Sequence, residues 1–176
     1  FVLSADELAA GRATDEGAPV PYPFKSASEM LEMAAASGKT IAQMKRANEI
    51  SRNGAQGLDS GIARLWEVMN ACIERGLNTD GILPGGLNVR RRAKAIHEKL
   101  QAERGMNLTA PHVINDWMSA YAMAVNEENA AGGQVVTAPT NGAAGVVPAV
   151  IRYWLDHVPG ASASRIDEFL LTAAAI

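Results

Sequence analysis

From Ser26 onward the sequence is punctuated for helices. Ser26-Ala27-Ser28-Glu29 has capping-box spacing, in which a serine hydroxyl and a glutamate carboxylate serve backbone N–H groups at a helix start. Thr40-Ile41-Ala42-Gln43 repeats the device. Gly38 and Gly54 are placed as stops, so two helices are predicted, ending at Gly38 and near Gly54. A third is predicted from Asp59 or Ser60 to Gly76, because Ile62, Leu65, Trp66, Met69, Cys72 and Ile73 recur at the spacing of one helical face. "GLNTDGILPGGLNV", from Gly76 to Val89, reads as a long turn-rich connection.

A fourth helix is predicted from about Arg90 to Arg104, closed by Gly105, and a fifth after Pro111. The fifth, "HVINDWMSAYAMAVNEENA", has small and apolar residues nearly all round, as in a central helix packed on several sides. "QVVTAP" is short enough for a strand, but its surroundings are helical and Pro139 ends it. A sixth helix is predicted from Gly145 with Pro148 in its first turn, and a seventh from Ser164 with Asp167 at its third position. The pattern is all-α, a multi-helix bundle-like domain. Ahead of it, Gly11, Gly17 and three prolines at 19, 21 and 23 predict an extended segment over 1–25, a linker or an arm laid on a neighbouring surface.

Composition narrows the function. The 176 residues suffice for one domain with a substantial core, and 48% hydrophobic with 20% charged residues is a soluble globular balance. A net charge of −3 offers no concentrated basic face to nucleic acid. The densest basic run, Arg90 to Lys94, reads as a solvated helix face. No apolar stretch is long enough to span a bilayer. One cysteine, Cys72, excludes an intramolecular disulfide and suggests a reducing, cytoplasmic compartment. The chain starts at Phe1 and stops inside the apolar "LLTAAAI", the ends expected of a fragment of something longer, whose open half-core invites homo-oligomers.

One stretch asks for more than packing: "NEENAAGGQVVTAPTNGAAG". Asn141 and Gly142 accept positive φ, so the backbone can fold back sharply at Thr140-Asn141-Gly142. The small residues after it let a ligand approach the main chain, and the free N–H groups and positive end of the next helix favour a carboxylate or phosphate. A plain helix cap fits the same residues. Just upstream, Asn126 and Asn129 share a helix face beside Glu127 and Glu128, two carboxylates that oppose the dipole at a helix end.

"VPYPFKSASEML", "ACIERGLNTDGILPGGLNVRRRA", "NEENAAGGQVVTAPTNGAAGVVPAV" and "LLTAAAI" resemble the catalytic domain of bacterial iron–sulfur L-serine dehydratases, from Val20 onward. The resemblance implies a lyase that turns L-serine into pyruvate and ammonia, in amino-acid catabolism and gluconeogenesis. It implies an amino-terminal α/β domain as partner, joined through a linker over 1–25, with 26–176 the first part of the helical catalytic domain. It implies a 4Fe–4S cluster held mostly by cysteines outside this chain, so that none is expected on these residues alone. Carried over, Thr140, Asn141 and Gly142 bind substrate with Lys25 as a carboxylate partner or interdomain contact, and Asn126, Glu127 and Asn129 support them. Lys25 also reads as merely solvated.

One position departs from the pattern: Ala144 stands where the resemblance places the first cluster ligand. A replacement ligand, an altered cluster and a relative that has lost its metal all remain open. Cys72 lies on an apolar helix face and reads as a buried small hydrophobe. His97 and His157 read as structural or solvated, and His112 as a cap or a substitute ligand. The alternative function is a non-catalytic helical module that holds a small carboxylate or phosphate at the Thr-Asn-Gly turn.

Overall fold

The computed structural model describes residues 19–104, 113–138 and 140–176. The described residues form seven α-helices and one 3-10 turn: α1 (Ala27–Ser37), α2 (Ile41–Asn53), α3 (Ala55–Asn78), α4 (Ala93–Glu103), α5 (Val113–Ala130), α6 (Asn141–His157), the turn Ala163–Arg165 and α7 (Ile166–Ala173). The all-α expectation is met, and residues 134–138, the described part of the candidate strand "QVVTAP", carry no regular structure. No helix among the described residues is long and apolar enough to cross a membrane. The described residues divide into two compact units, those up to Ile62 with Asp167–Ile176, and those from Ala63 to Ile166.

In the first unit the local signals decide the helix ends. Ser26 Oγ accepts the Glu29 N–H at 3.2 Å, while the Glu29 carboxylate returns to the Lys25 N–H at 2.7 Å, one residue earlier than in a reciprocal box. Thr40 and Gln43 complete the reciprocal box, at 3.2 and 2.9 Å. Met30, Ala42 and Met44 are buried. The proline-rich segment is pinned to α2: Tyr22 N–H donates to Asn48 Oδ1 at 2.9 Å and Asn48 Nδ2 donates to the Tyr22 carbonyl at 2.7 Å. Asn48 is buried, so this double bond satisfies a polar group that would otherwise cost free energy. Arg46 bridges Asp59 and Asp167 at 2.7 and 2.6 Å.

The second unit is built round α5, the central helix of the sequence reading. α4 and α6 pack on it, and Trp117, Ala120, Tyr121, Ala124 and Val125 are buried with Cys72, Ile73, Leu77, Ala93, Leu100 and Ala149. Each fully buried aliphatic side chain of this kind contributes roughly 1.5–3 kcal/mol by leaving water. Tyr121 pairs with Asp156 (2.8 Å) and Gly145 packs beside Asn126, so α5 and α6 run antiparallel. Arg152 holds Asp156 at 2.7 Å and also reaches Asn70 and Glu74.

Four expectations are corrected here. α3 runs from Ala55 to Asn78, through Gly76 rather than stopping at it, because Gly76 lies against the backbone of Ala124. α4 begins at Ala93, since residues 81–91 form a hairpin-like loop with an Ile82–Arg90 bridge. The Arg90–Lys94 run is therefore not one solvated helix face: the Arg91 side chain is only 7% exposed and paired with Glu128. α6 begins at Asn141, so Pro148 lies inside the helix, fully buried, rather than in its first turn. Gly105 and His112 lie outside the described residues.

Candidate functional site

Of the two readings of 140–142, the structure shows the helix cap and not a sharp positive-φ turn. Thr140 is extended at φ −131°, and its Oγ1 accepts the Ala143 N–H at 3.1 Å, making it the N-cap of α6. Asn141 and Gly142 are the first two helical residues and do not have positive φ. Helical geometry leaves their N–H groups without an acceptor inside the helix, so they add to its positive end. Thr140, Asn141 and Gly142 are all exposed. The Thr140 hydroxyl accepts from Ala143 and keeps its own proton for donation.

Asn126, also exposed, packs against Gly145, one turn into α6. A Cβ on Gly145 would lie 3.1 Å from Asn126 Oδ1 and 3.3 Å from Nδ2, so only a glycine admits the carboxamide at that distance without displacement. Asn141 and Gly145 are four apart and share a face of α6, so Asn126 lies one turn along that helix from its start, and Asn129, one turn from Asn126 on α5, is half-buried. The exposed Asn126 and Asn141 amides thus lie near a helix N-terminus, an arrangement suited to a small anion with further hydrogen-bonding groups.

Glu127 and Glu128 point elsewhere. Glu127, 5% exposed, accepts the Arg92 N–H at 2.7 Å and the Ala93 N–H at 3.4 Å, capping α4 from 35 residues away. Glu128, 6% exposed, accepts from Arg91 Nη1 at 2.8 Å and from Arg75 Nε at 3.1 Å. Burial pushes the Glu128 carboxyl up, but hydrogen bonds and charge from the two arginines outweigh it and hold the group below the ordinary glutamate value. Two carboxylates that looked misplaced against the dipole are thus both occupied in joining helices. The two carboxylates stand out in the sequence, but their partners Arg75 and Arg91 do not. The only signal was the Gly132-Gly133 pair: Gly132 has φ 78°, and a Cβ on Gly133 would meet Glu128 Oε2 at 2.8 Å.

Lys25 belongs to the first unit, where its side chain is exposed and its main-chain N–H serves Glu29. Cys72 is 1% exposed in the core, and burial raises its thiol pKa. His97 and His157 are half-buried rather than solvated, ring against ring with Trp117 at 5.6 and 4.6 Å between centroids. Burial lowers both imidazole pKa values; the Arg152 charge adds to this at His97, and Arg104 and Arg152 add to it at His157 against Asp156.

Helix content and topology define an all-helical domain organised on an antiparallel α5–α6 pair. Residues 26–176 match the family described as serine dehydratase alpha chain, and the chain belongs to that family. It is 44% identical over 176 residues to the L-serine dehydratase of Streptomyces coelicolor, covering 100% of this chain and 38% of that protein. Over 171 residues it is 42% identical to the L-serine dehydratase of Haemophilus influenzae and 42% identical to L-serine dehydratase 1 of Escherichia coli K12, covering 97% of this chain and 37% of each. The chain therefore spans about two fifths of the length of the curated relatives it matches.

The donor set does not fit an iron–sulfur cluster. Among the described residues no group of three or more His, Cys, Asp or Glu is placed to hold a metal ion. Cys72 is committed to the core, and the methyl group of Ala144, in the first turn of α6, has no donor atom.

Proposed function

We propose that this chain acts, within a protein of its relatives' length, in converting L-serine to pyruvate and ammonia. The relatives bear the name of that activity, and the observation that supports a role for these residues is the exposed, threonine-capped start of α6 beside Asn126. The serine carboxylate is received by the N–H groups of Asn141 and Gly142 and the Thr140 hydroxyl, with the Asn141 and Asn126 amides for the remaining polar groups. Asn129 lies one turn behind, and Glu127 holds α4 in place. The Cα proton and the β-hydroxyl leave as water, and the aminoacrylate tautomerises to an imine that takes up water to give pyruvate and ammonia. Fixed donors at the carboxylate hold the negative charge that develops as the Cα proton is removed.

An iron–sulfur cluster, if it serves this reaction, draws its thiolates from outside the described residues. Residues 1–25 are a linker from an amino-terminal α/β domain, 26–176 open the helical catalytic domain, and the protein works in the cytoplasm in serine breakdown. The test is anoxic purification of the full-length protein and assay of pyruvate from L-serine. Turnover is expected, with the KM of Asn141→Ala raised about tenfold, near the value of one charge-assisted hydrogen bond. No pyruvate, or an Asn141→Ala variant that matches the unmodified protein, would overturn the proposal.

A further inference from the structure

Glu128 of α5 joins α3 through Arg75, the loop before α4 through Arg91, and the chain after α5 at Gly133. Its side chain is 8% exposed, and the carboxylate takes Arg91 Nη1 at 2.8 Å on one oxygen and Arg75 Nε at 3.1 Å on the other. Arg75 continues outward, donating from Nη2 to the Gln134 carbonyl at 2.7 Å. The Glu128 carbonyl accepts the Gly133 N–H at 2.8 Å, and Gly133 is so close to the carboxylate that a Cβ would overlap it. Beyond Gln134, Val135 packs on the core cluster, and six residues after Gln134 the chain reaches the cap at Thr140.

From these contacts we infer that Glu128 is a positioning residue, which acts through Arg75 to fix the path of residues 133–138 and so the placement of the Thr140–Gly142 opening for substrate. The inference rests on the function proposed above. Buried ion pairs are seldom better for stability than apolar side chains of the same volume. What this one supplies is direction, because a guanidinium can grip the carboxylate and a carbonyl at once with fixed geometry. A lysine ammonium, a single point charge on a flexible stem, cannot reproduce that fork. With the brace loosened, the helix start survives through its own Thr140 cap, but its position relative to Asn126 and the rest of the substrate grip is no longer fixed.

The test uses the full-length protein with Arg75→Lys and, separately, Glu128→Gln. The Arg75 side chain is 41% exposed, so its variant is expected to fold even where loss of the buried carboxylate does not. Hydrogen exchange over 131–140 should quicken about tenfold while α5 residues 117–125 hold their protection, and the KM for L-serine should rise about tenfold with kcat changed less than about threefold. A merely structural ion pair would leave that KM-against-kcat split unmoved. Unchanged exchange over 131–140, or faster exchange with an unmoved KM, overturns the inference alone, since the unmodified protein still makes pyruvate. An unmodified protein that leaves serine untouched overturns the proposed function and this inference together.

Discussion

Adding one methyl group at Gly76 is expected to force α3 away from α5. A Cβ there falls 2.7 Å from both the Cα and the carbonyl carbon of Ala124, and nearer still to the carbonyl oxygen. Ordinary contact starts at 3.4 Å, so the two backbones must part by about 0.7 Å or more. Overpacking costs about 1–3 kcal/mol, and an obstacle made of main-chain atoms, which cannot rotate aside, belongs at the top of that range. Alanine recovers about 1 kcal/mol over glycine inside a helix, leaving a net loss of about 2 kcal/mol. Gly61 lies in the same helix with nothing within 4 Å of its Cβ, so it isolates the helix-propensity gain. Gly61→Ala should stabilise by up to about 1 kcal/mol, setting the two variants about 3 kcal/mol apart. Urea unfolding of the full-length protein, followed by tryptophan fluorescence, measures the difference. Equal midpoints for the two variants would refute the close crossing of α3 and α5.

Other consequences follow from the caps and the buried charges. Thr140→Ala removes the acceptor for the Ala143 N–H and should cost about 1 kcal/mol, with Thr140→Ser restoring most of it; equal midpoints for the alanine variant and the unmodified protein would contradict the cap. Stability should fall on acidification in two stages. His97 and His157 have folded pKa values below the ordinary 6.5, so their contribution is complete above pH 6.5 and is lost as the pH falls through the folded values. Glu128, also lowered, contributes fully above its ordinary 4.5 and is lost further down. Denaturation midpoints across that range check the order, and a midpoint that rises as the pH drops below 6.5 would contradict it.

Where a signal is local the sequence reads well. The starts of α1 and α2 are visible because Ser26 and Thr40 act within three residues, and their ends because glycine follows. Where the sequence misleads, a distant partner is the cause. Gly76 looks like a stop and is a contact with Ala124. Arg91 looks solvated and is taken by Glu128, 37 residues on, while Arg75 reaches the same carboxylate across 53. No periodicity shows such pairs. At the candidate site, the helix start and its threonine were legible, but the register was not. "TNG" has turn chemistry, yet Thr140 spends its hydroxyl on the cap and draws Asn141 and Gly142 into the helix.

A structure of the complete protein, prepared without oxygen and soaked with L-serine, tests the central claim most directly. The serine carboxylate should lie within hydrogen-bond distance, about 3 Å, of the Asn141 and Gly142 amides and the Thr140 hydroxyl. Serine bound elsewhere, with the start of α6 facing only water, would contradict it.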